Sequence, residues 1–228
     1  GIENTNYLLK TNNKKYILTI FEKRVQKKDL PFFMKLMDKL NKRNITCPKP
    51  LKDNNGNYLT KIKNKTACIV TFLKGKDKVN LNNKNCFEVG KNIGKLHKAS
   101  ATLNLYRKNS MSINNLNSLL KSIKFKSKTI VPNLRYILKI NLKQIKKNWP
   151  KNLPKGIIHG DIFIDNIIFL NDNINGVIDY TFACNDFFAY DIAICLNALC
   201  FDQIGDNYNF NILNAQNFLK GYIKNRNL

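Results

Sequence analysis

Three polar side chains with regular spacing follow apolar stretches in the second half of the chain. One apolar run leads into His159-Gly160-Asp161, Asn166 comes five positions after Asp161, and Asp179 ends a second apolar run. A carboxylate can accept the proton of a hydroxyl group, while an amide and a second carboxylate offer the hard oxygen ligands that Mg²⁺ prefers. Transfer of a phosphoryl group needs these groups. The spacing therefore predicts a phosphoryl-transfer site with Asp161 as the base and Asn166 and Asp179 as Mg²⁺ ligands.

Short strands are expected to position these residues. Residues 166–170 have the pattern of a strand, 171–175 that of a turn, and 176–179 that of the returning strand. Such a hairpin brings Asn166 close to Asp179. No feature of the sequence places His159 as a base, so it is expected to orient the loop by hydrogen bonding.

Protein kinases use the same order of groups, with His-Arg-Asp where this chain has His-Gly-Asp. The replacement favours a small-molecule acceptor over a protein substrate. A lone His-x-Asp would indicate only ordinary loop residues, but two correct spacings with a strand context for each argue against that reading for the whole set.

Length and composition describe a globular chain of 228 residues with 43% hydrophobic residues. No apolar run reaches the roughly 18 residues of a membrane span, and no signal peptide is visible, so we expect a cytoplasmic protein without a membrane partner. The chain begins at Gly1, inside what resembles a functional loop. We therefore expect it to be truncated at its start, and the family resemblance given below implies a truncated end as well.

The formal net charge of +24 could indicate nucleic-acid binding. However, the lysines are spread along the chain among asparagine and isoleucine, and no nucleic-acid module is recognisable. Compositional drift is the favoured explanation, and no nucleic-acid partner is expected. The six cysteines form no Cys-x-x-Cys pair and lie mostly in apolar contexts, which predicts buried thiols rather than a zinc site.

The first third of the chain predicts a small lobe of antiparallel strands. Strands are expected at 7–10, 16–21, 58–62 and 67–72, with one helix at 30–43. Asp29 followed by Pro31 fits the N-terminal cap of that helix. Residues 72–75 then predict a linker.

The remainder predicts a mainly helical lobe. Helices are expected at 86–99, 133–148, 190–201 and 214–223, with a Ser- and Asn-rich separator at 109–118. The predicted fold class is α+β and bilobal, similar to a protein kinase. The predicted boundaries are 1–73 for a nucleotide-binding lobe and 74–228 for a catalytic and substrate-binding lobe.

With both lobes in place, the chain resembles the aminoglycoside phosphotransferase superfamily and, within it, the bacterial homoserine kinases. The resemblance covers nearly the whole chain. It is carried by the residues around Asp161 and by residues 1–7, 16–22, 30–33, 69–75, 94–97, 178–184 and 189–197.

The resemblance implies ATP-dependent phosphorylation of the L-homoserine hydroxyl for threonine biosynthesis, with ATP and Mg²⁺ as cofactors. The backbone of 72–75 would contact adenine, and Asp191 would brace the catalytic loop. The residues expected to contact the nucleotide are Gly1, Glu3, Asn4, Thr5, Asn6, Phe72 and Leu73. For the homoserine substrate, the candidates are Asp186, Tyr190 and Asn197, which follow the metal-binding Asp179.

One departure concerns the phosphates. Thr19 stands where many superfamily members carry a phosphate-binding lysine, and the predicted helix 30–43 has no obvious glutamate to pair with one. We expect Lys10, Lys23 or the 1–6 loop to supply these contacts. Two alternatives stay open: a related kinase acting on choline, ethanolamine, methylthioribose or an aminoglycoside, and a non-catalytic kinase-like protein.

Overall fold

A computed structural model of the chain describes residues 4–22, 25–122 and 132–228. The small lobe is a four-stranded antiparallel sheet with strand order β1-β2-β4-β3 and one helix against it. The elements are β1 (Asn4–Lys10), β2 (Lys15–Phe21), α1 (Leu30–Lys42), β3 (Thr60–Ile62) and β4 (Lys65–Thr71). The register sets Asn4 opposite Phe21 and Ile17 opposite Val70.

Helix α1 packs through the apolar side chains that recur at helical spacing in its sequence. Leu30, Phe33 and Leu40 are fully buried, so this face joins the core between the sheet and the second lobe. Asp29 occupies the N-cap position as expected, but it makes no capping hydrogen bond. Its carboxylate instead accepts a hydrogen bond from Nε of Arg107 at 2.8 Å. This charged partner lies 78 residues further along the chain.

The large lobe contains five helices and three short antiparallel pairs among the described residues. The helices are α2 (Asn83–Ser100), α3 (Ile113–Ser122), α4 (Leu134–Asn148), α5 (Phe188–Leu199) and α6 (Ile212–Tyr222). The strands are β5 (Lys155–Ile158), β6 (Ile167–Leu170), β7 (Asn173–Val177), β8 (Cys184–Phe187), β9 (Phe201–Ile204) and β10 (Asn207–Phe210). β5 pairs with β8, β6 with β7, and β9 with β10. The predicted α+β bilobal class is confirmed.

Three predicted segments were wrong in detail. The returning strand predicted at 176–179 is β7, Asn173–Val177, so the predicted turn at 171–175 is shorter than expected. The separator at 109–118 contains the start of α3, whose Leu116, Leu119 and Leu120 lie at helical spacing among polar neighbours. The helix predicted to reach residue 201 ends at Leu199, and the chain turns at Gly205 into the hairpin β9–β10. Gly205 has a φ of +60°, which a glycine adopts without steric cost.

Glycines allow α2 and α6 to lie in direct contact. A Cβ atom added at Gly90 would lie 1.9 Å from the carbonyl oxygen of Phe218, and one added at Gly221 would lie 2.0 Å from that of Phe87. Backbone atoms cannot move aside as a side-chain tip can. The close spacing of these two helices therefore requires glycine, which has no Cβ atom, at both positions.

Replacing Gly90 by alanine is expected to destabilise the protein by about 1–3 kcal/mol, because the extra methyl group forces the helices apart. In an unconstrained helix the same change would stabilise by about 1 kcal/mol, so the sign is informative. Urea denaturation measures the difference. Lys95→Ala, on the exposed face of α2, is the control, and a more stable Gly90→Ala variant would contradict the packing.

All six cysteines are free and buried, as predicted. Burial raises the pKa of Cys47 and of Cys68 to about 12, so these thiols are inert packing groups at neutral pH. Of the helices in the described part of the chain, none combines the length and the apolar content that crossing a bilayer requires.

Candidate active site

A cavity of about 330 Å³ lies between the sheet and the large lobe. Alternate residues of β2 and β4, among them Ile17, Thr19 and Val70, form its roof. Its floor includes Asn166 and Asp179. The cleft therefore brings an apolar roof over two potential cation ligands.

The linker at 72–75 closes one side of this cavity and is fixed to the hairpin β6–β7. Lys76 and Phe169 exchange two backbone hydrogen bonds, of 3.0 and 2.8 Å. Gly75 has a φ of +115°, and a Cβ atom there would lie 2.1 Å from the carbonyl oxygen of Phe169. The hairpin that follows Asn166 is thus held at a set distance from Phe72 and Leu73, which line the cavity.

Asn166 lies in a 3₁₀ turn at the entrance of β6. Its Nδ2 donates to the backbone carbonyl of Asp161 at 2.9 Å and to Oδ2 of Asp161 at 3.0 Å. Both contacts use the amide nitrogen. The amide oxygen consequently stays available to a cation in the cavity.

Asp179 is brought beside Asn166 by the backbone bond from Ile178 N to Asn166 O, 2.9 Å. Its φ of +58° is an uncommon left-handed conformation for a residue with a side chain, and such strain concentrates at functional sites. Oδ1 of Asp179 accepts from the backbone N and the hydroxyl of Thr181, at 3.2 and 2.5 Å. The carboxylate is exposed to the cavity.

The donor set fits Mg²⁺. One amide oxygen and one carboxylate, both hard ligands, line the same cavity, and this cation commonly takes one or two protein carboxylates plus water and phosphate oxygens. No cluster of three or more His, Cys, Asp or Glu residues forms in the described ranges.

Asp161 lies half-buried at the start of the loop that ends at Asn166. Burial raises the pKa of its carboxyl group, and the charge of Asp179 raises it further, while His159 and the hydrogen bond from Asn166 act in the opposite direction. The net pKa lies above the usual aspartate value. A carboxylate with a raised pKa is a stronger base, as proton abstraction from a hydroxyl group requires.

The shift predicts a pH dependence. Asp161 must be ionised to accept a proton, so kcat/KM is expected to fall as the pH drops through a pKa that lies above 3.8, the value of an ordinary aspartate. Asn166→Asp, which adds a negative charge and removes a donor, should move this acidic limb to higher pH. A pH–rate profile measures both, and an acidic limb at or below pH 3.8 would contradict the assignment.

The backbone just before Asp161 is held by the buried carboxylate of Asp191. Its oxygens accept from the backbone N of His159 at 2.9 Å and of Gly160 at 2.8 Å. His97 Nε2 lies 2.9 Å from the same carboxylate, and His97 Nδ1 lies 2.8 Å from the hydroxyl of Tyr222. Asp191 and His97 are fully buried, so α2, α5 and α6 jointly fix the loop before Asp161.

The His159 side chain is also buried, and its Nε2 lies 2.9 Å from the carbonyl oxygen of Ile178. Burial lowers the pKa of His159 despite nearby carboxylates. The neutral ring therefore donates to the residue before Asp179 and connects the two halves of the site. The sequence did not indicate His97 or Tyr222. The available signals were that residues 94–97 belong to the segments that carry the family resemblance and that His97 is one of two histidines in the chain.

The predicted nucleotide contacts divide by strand face. Asn4, Asn6, Phe72 and Leu73 line the cavity. Thr5 points elsewhere, and its hydroxyl donates to Glu22 Oε1 at 3.2 Å. Gly1 and Glu3 lie outside the described residues.

The candidates for phosphate binding differ in whether they line the cavity. Thr19 lines the cavity, and its hydroxyl donates to Asn6 Oδ1 at 2.8 Å. Lys10 lies at the opposite end of the β1–β2 hairpin from Asn4 and does not line the cavity. Lys23 lies outside the described residues.

The three substrate candidates are not brought together. Asp186 accepts from Asn109 Nδ2 at 2.6 Å, and Tyr190 stacks edge-on against Trp149. Asn197 is exposed on α5. None of them lines the cavity between the lobes.

A small antiparallel sheet, a linker, and an Asp-Asn-Asp arrangement on a helical lobe define a kinase-like phosphotransferase. The chain belongs to the phosphotransferase enzyme family whose model matches residues 1–221.

Curated relatives share much of the sequence. The homoserine kinase of Bartonella henselae is 41% identical over 228 residues, which are 100% of this chain and 70% of that protein. The homoserine kinase of Bradyrhizobium diazoefficiens is 41% identical over 229 residues, 100% of this chain and 69% of that protein.

Solved structures share the fold at low identity. Amicoumacin kinase hAmiN in complex with AMP-PNP, Ca²⁺ and Ami superposes with a TM-score of 0.79 at 19% identity, covering 100% of this chain and 72% of that chain. Spectinomycin phosphotransferase in complex with ADP and spectinomycin gives 0.67 at 15% identity, covering 96% and 70%. The predicted relationship to this superfamily is confirmed.

Proposed function

We propose that this chain is an ATP-dependent homoserine kinase, which transfers the γ-phosphoryl group of ATP to the hydroxyl of L-homoserine in threonine biosynthesis. The observation that carries the proposal is 41% identity to curated homoserine kinases along the entire chain. The cavity that gathers Asn166 and Asp179 beside Asp161 supplies the chemistry.

In this function Asp161 accepts the proton of the homoserine hydroxyl. The amide oxygen of Asn166 and the carboxylate of Asp179 hold Mg²⁺, which when bound neutralises phosphate charge. Asn4 and Asn6 face the phosphates. Asp191 and His159 are positioning residues for the loop. Gly1, Glu3 and Thr5 retain their proposed place in the phosphate loop.

The adenine is proposed to contact Phe72 and Leu73 at the junction of the lobes. That junction keeps the division into 1–73 for nucleotide binding and 74–228 for catalysis and acceptor binding. ATP and an amino-acid acceptor are both metabolites of the cytoplasm, which we propose as the location. The acceptor is a small molecule.

The nearest alternative is a kinase of the same fold for another alcohol. The net charge of +24 disfavours polycationic acceptors such as aminoglycosides, because charges of like sign repel. The 41% identity to homoserine kinases favours homoserine over choline or ethanolamine as the acceptor.

ADP release is measured with Mg-ATP and a panel of acceptors: L-homoserine, choline, ethanolamine, methylthioribose and kanamycin. Turnover that depends on homoserine, and that Asp161→Asn lowers by about 10²- to 10⁴-fold, is expected. Turnover only with another acceptor would replace homoserine in the proposal. Nucleotide binding without turnover of any acceptor would favour a non-catalytic kinase-like protein.

A further inference from the structure

A second cavity, of about 570 Å³, lies next to the first. It is bounded by the turn before α1, by the segment that follows α2, and by Thr181 and Phe182. Thr181 lines both cavities. Because its hydroxyl donates to Asp179, the second cavity meets the first at the proposed cation ligand.

Phe182 connects this cavity to the catalytic loop. A Cβ atom added at Gly160 would lie 2.9 Å from the carbonyl oxygen of Phe182. The residue before Asp161 therefore packs directly against the wall of the second cavity. A molecule in this cavity therefore lies next to Thr181, which bonds to Asp179, and next to Phe182, which packs against Gly160 beside the proposed base.

The charged groups of the second cavity are three cations and one carboxylate. Lys28 and Lys108 are exposed at its surface, and Arg107 and Asp29 lie deeper. The side chains of Arg107 and Asp29 are only 11% and 19% exposed. A cavity with this excess of positive charge favours an anionic group, while the single carboxylate offers a place for an ammonium group.

Arg107 is held rigidly in this cavity. Its Nε donates to Asp29 Oδ2 at 2.8 Å, its Nη1 donates to the carbonyl oxygen of Ala183 at 3.0 Å, and the guanidinium lies 4.9 Å from the centre of the Phe33 ring. Within the described ranges Nη2 of Arg107 and Oδ1 of Asp29 make no hydrogen bond. One fixed donor and one fixed acceptor thus remain side by side.

We propose that the second cavity binds the charged end of the amino-acid acceptor, with the α-carboxylate on Arg107 and the α-ammonium on Asp29. This inference rests on the proposed function and adds the groups that recognise the substrate. Arg–carboxylate contacts are strong and directional because the guanidinium is planar and permanently charged. Lys28 and Lys108 add positive potential at the entrance, and the hydroxyl end extends past Thr181 and Phe182 towards Asp161.

The assignment moves acceptor recognition away from Asp186, Tyr190 and Asn197, which do not line the second cavity either. It also assigns a role to the hydrogen bond from Arg107 to Asp29, which joins the segment after α2 to the turn before α1 and orients both side chains. The partner of each charge on the substrate is already oriented before binding, which lowers the entropic cost of recognition.

The test pairs side-chain deletion with deletion of the matching substrate group. The acceptors are L-homoserine, 3-aminopropan-1-ol, which lacks the carboxylate, and 4-hydroxybutanoate, which lacks the ammonium group. Where turnover of an analogue is too slow, its competitive inhibition constant against homoserine is measured. Arg107→Gln is expected to lower kcat/KM for homoserine about 10- to 100-fold, with the loss mainly in KM, as for loss of a charged hydrogen bond.

For 3-aminopropan-1-ol, the same variant should have the kcat/KM or inhibition constant of the wild type, because this molecule has no carboxylate for Arg107 to bind. In Asp29→Asn the new amide oxygen can still accept from Arg107. This variant should lower kcat/KM for homoserine but leave the kinetic or inhibition constant of 4-hydroxybutanoate unchanged. Arg135→Gln, an exposed position on α4, is the matched control. The KM for ATP should not change in any variant.

Equal losses for homoserine and for the truncated acceptors would mean that Arg107 and Asp29 only support the structure, and would overturn the inference. Unchanged homoserine kinetics in both variants would do the same and leave the proposed function standing. If Arg107→Gln fails to fold by circular dichroism, the Asp29→Asn arm decides. A wild-type protein that does not phosphorylate homoserine would instead contradict the proposed function itself.

Discussion

Replacing Asp161 by asparagine is expected to lower kcat for homoserine phosphorylation by about 10²- to 10⁴-fold, the usual contribution of a general base. The variant keeps the local geometry, because the new amide oxygen can still accept the hydrogen bond that Asn166 Nδ2 donates. Only the ability to take a proton is lost. Steady-state kinetics at saturating ATP and homoserine measure the effect, and a nucleotide-binding assay should find the ATP affinity little changed.

Asp206→Asn is the matched control. It makes the same chemical change in the exposed turn between β9 and β10, so its kcat should equal that of the wild type. An Asp161→Asn variant that retained wild-type kcat would remove the base from the mechanism. A variant with lost ATP binding would mean that the carboxylate acts on the nucleotide instead.

Replacing Asp191 by alanine is expected to cost about 3–5 kcal/mol of stability, because several hydrogen-bonding groups lose their acceptor at about 1–3 kcal/mol each. The substitution leaves the backbone N–H groups of His159 and Gly160 and the ring of His97 without their acceptor. His97 and His159 are buried, so bulk water does not replace the bonds that they lose. Urea denaturation measures the loss, and Asp206→Ala serves as the exposed control.

The pH dependence of this effect has a defined sign. Burial opposes ionisation of Asp191, but the hydrogen bond and charge of His97, with further help from His159, outweigh it and lower the pKa of the carboxyl group. A lowered folded-state pKa contributes stability that is present above the unfolded value, near 3.8, and is lost as the pH falls through the folded value. The stability gap between wild type and Asp191→Ala should therefore narrow below about pH 4. A gap independent of pH would contradict an ionised Asp191.

Local spacing made much of the site predictable. The distance from Asp161 to Asn166, and the hairpin that returns to Asp179, are short-range features, and strand and turn patterns encode them directly. The main strands and helices followed from apolar periodicity in the same way. Alternation along β1 directs the Thr5 side chain away from Asn4 and Asn6 and towards Glu22, so its predicted contact with the nucleotide would have to use the backbone.

Long-range pairings were not predictable. Asp29 resembles an N-cap by every local rule, and only the arrival of Arg107 from a different segment gives its carboxylate another partner. The contact of His97 with Asp191 and Tyr222 likewise joins three helices that are far apart in sequence. Single-sequence patterns carry no information about which polar side chains meet in this way.

Thr19 shows how the site differs from its expected pattern. In place of a lysine, its hydroxyl bonds to Asn6 within the roof of the cavity. The described part of β2 therefore brings no cation to the phosphates. This role passes to groups outside β2, of which the backbone of the 1–6 loop and Lys23 remain the proposed sources.

The most direct test of the account identifies the product. Protein, Mg-ATP and L-homoserine are incubated and followed by ³¹P NMR, with Asp161→Asn in parallel. The account predicts one new phosphomonoester, coupled to a CH₂ group and formed in equal amount to ADP, in the wild type alone. Formation of ADP with free phosphate only, or of the same phosphomonoester at the same rate by Asp161→Asn, would contradict it.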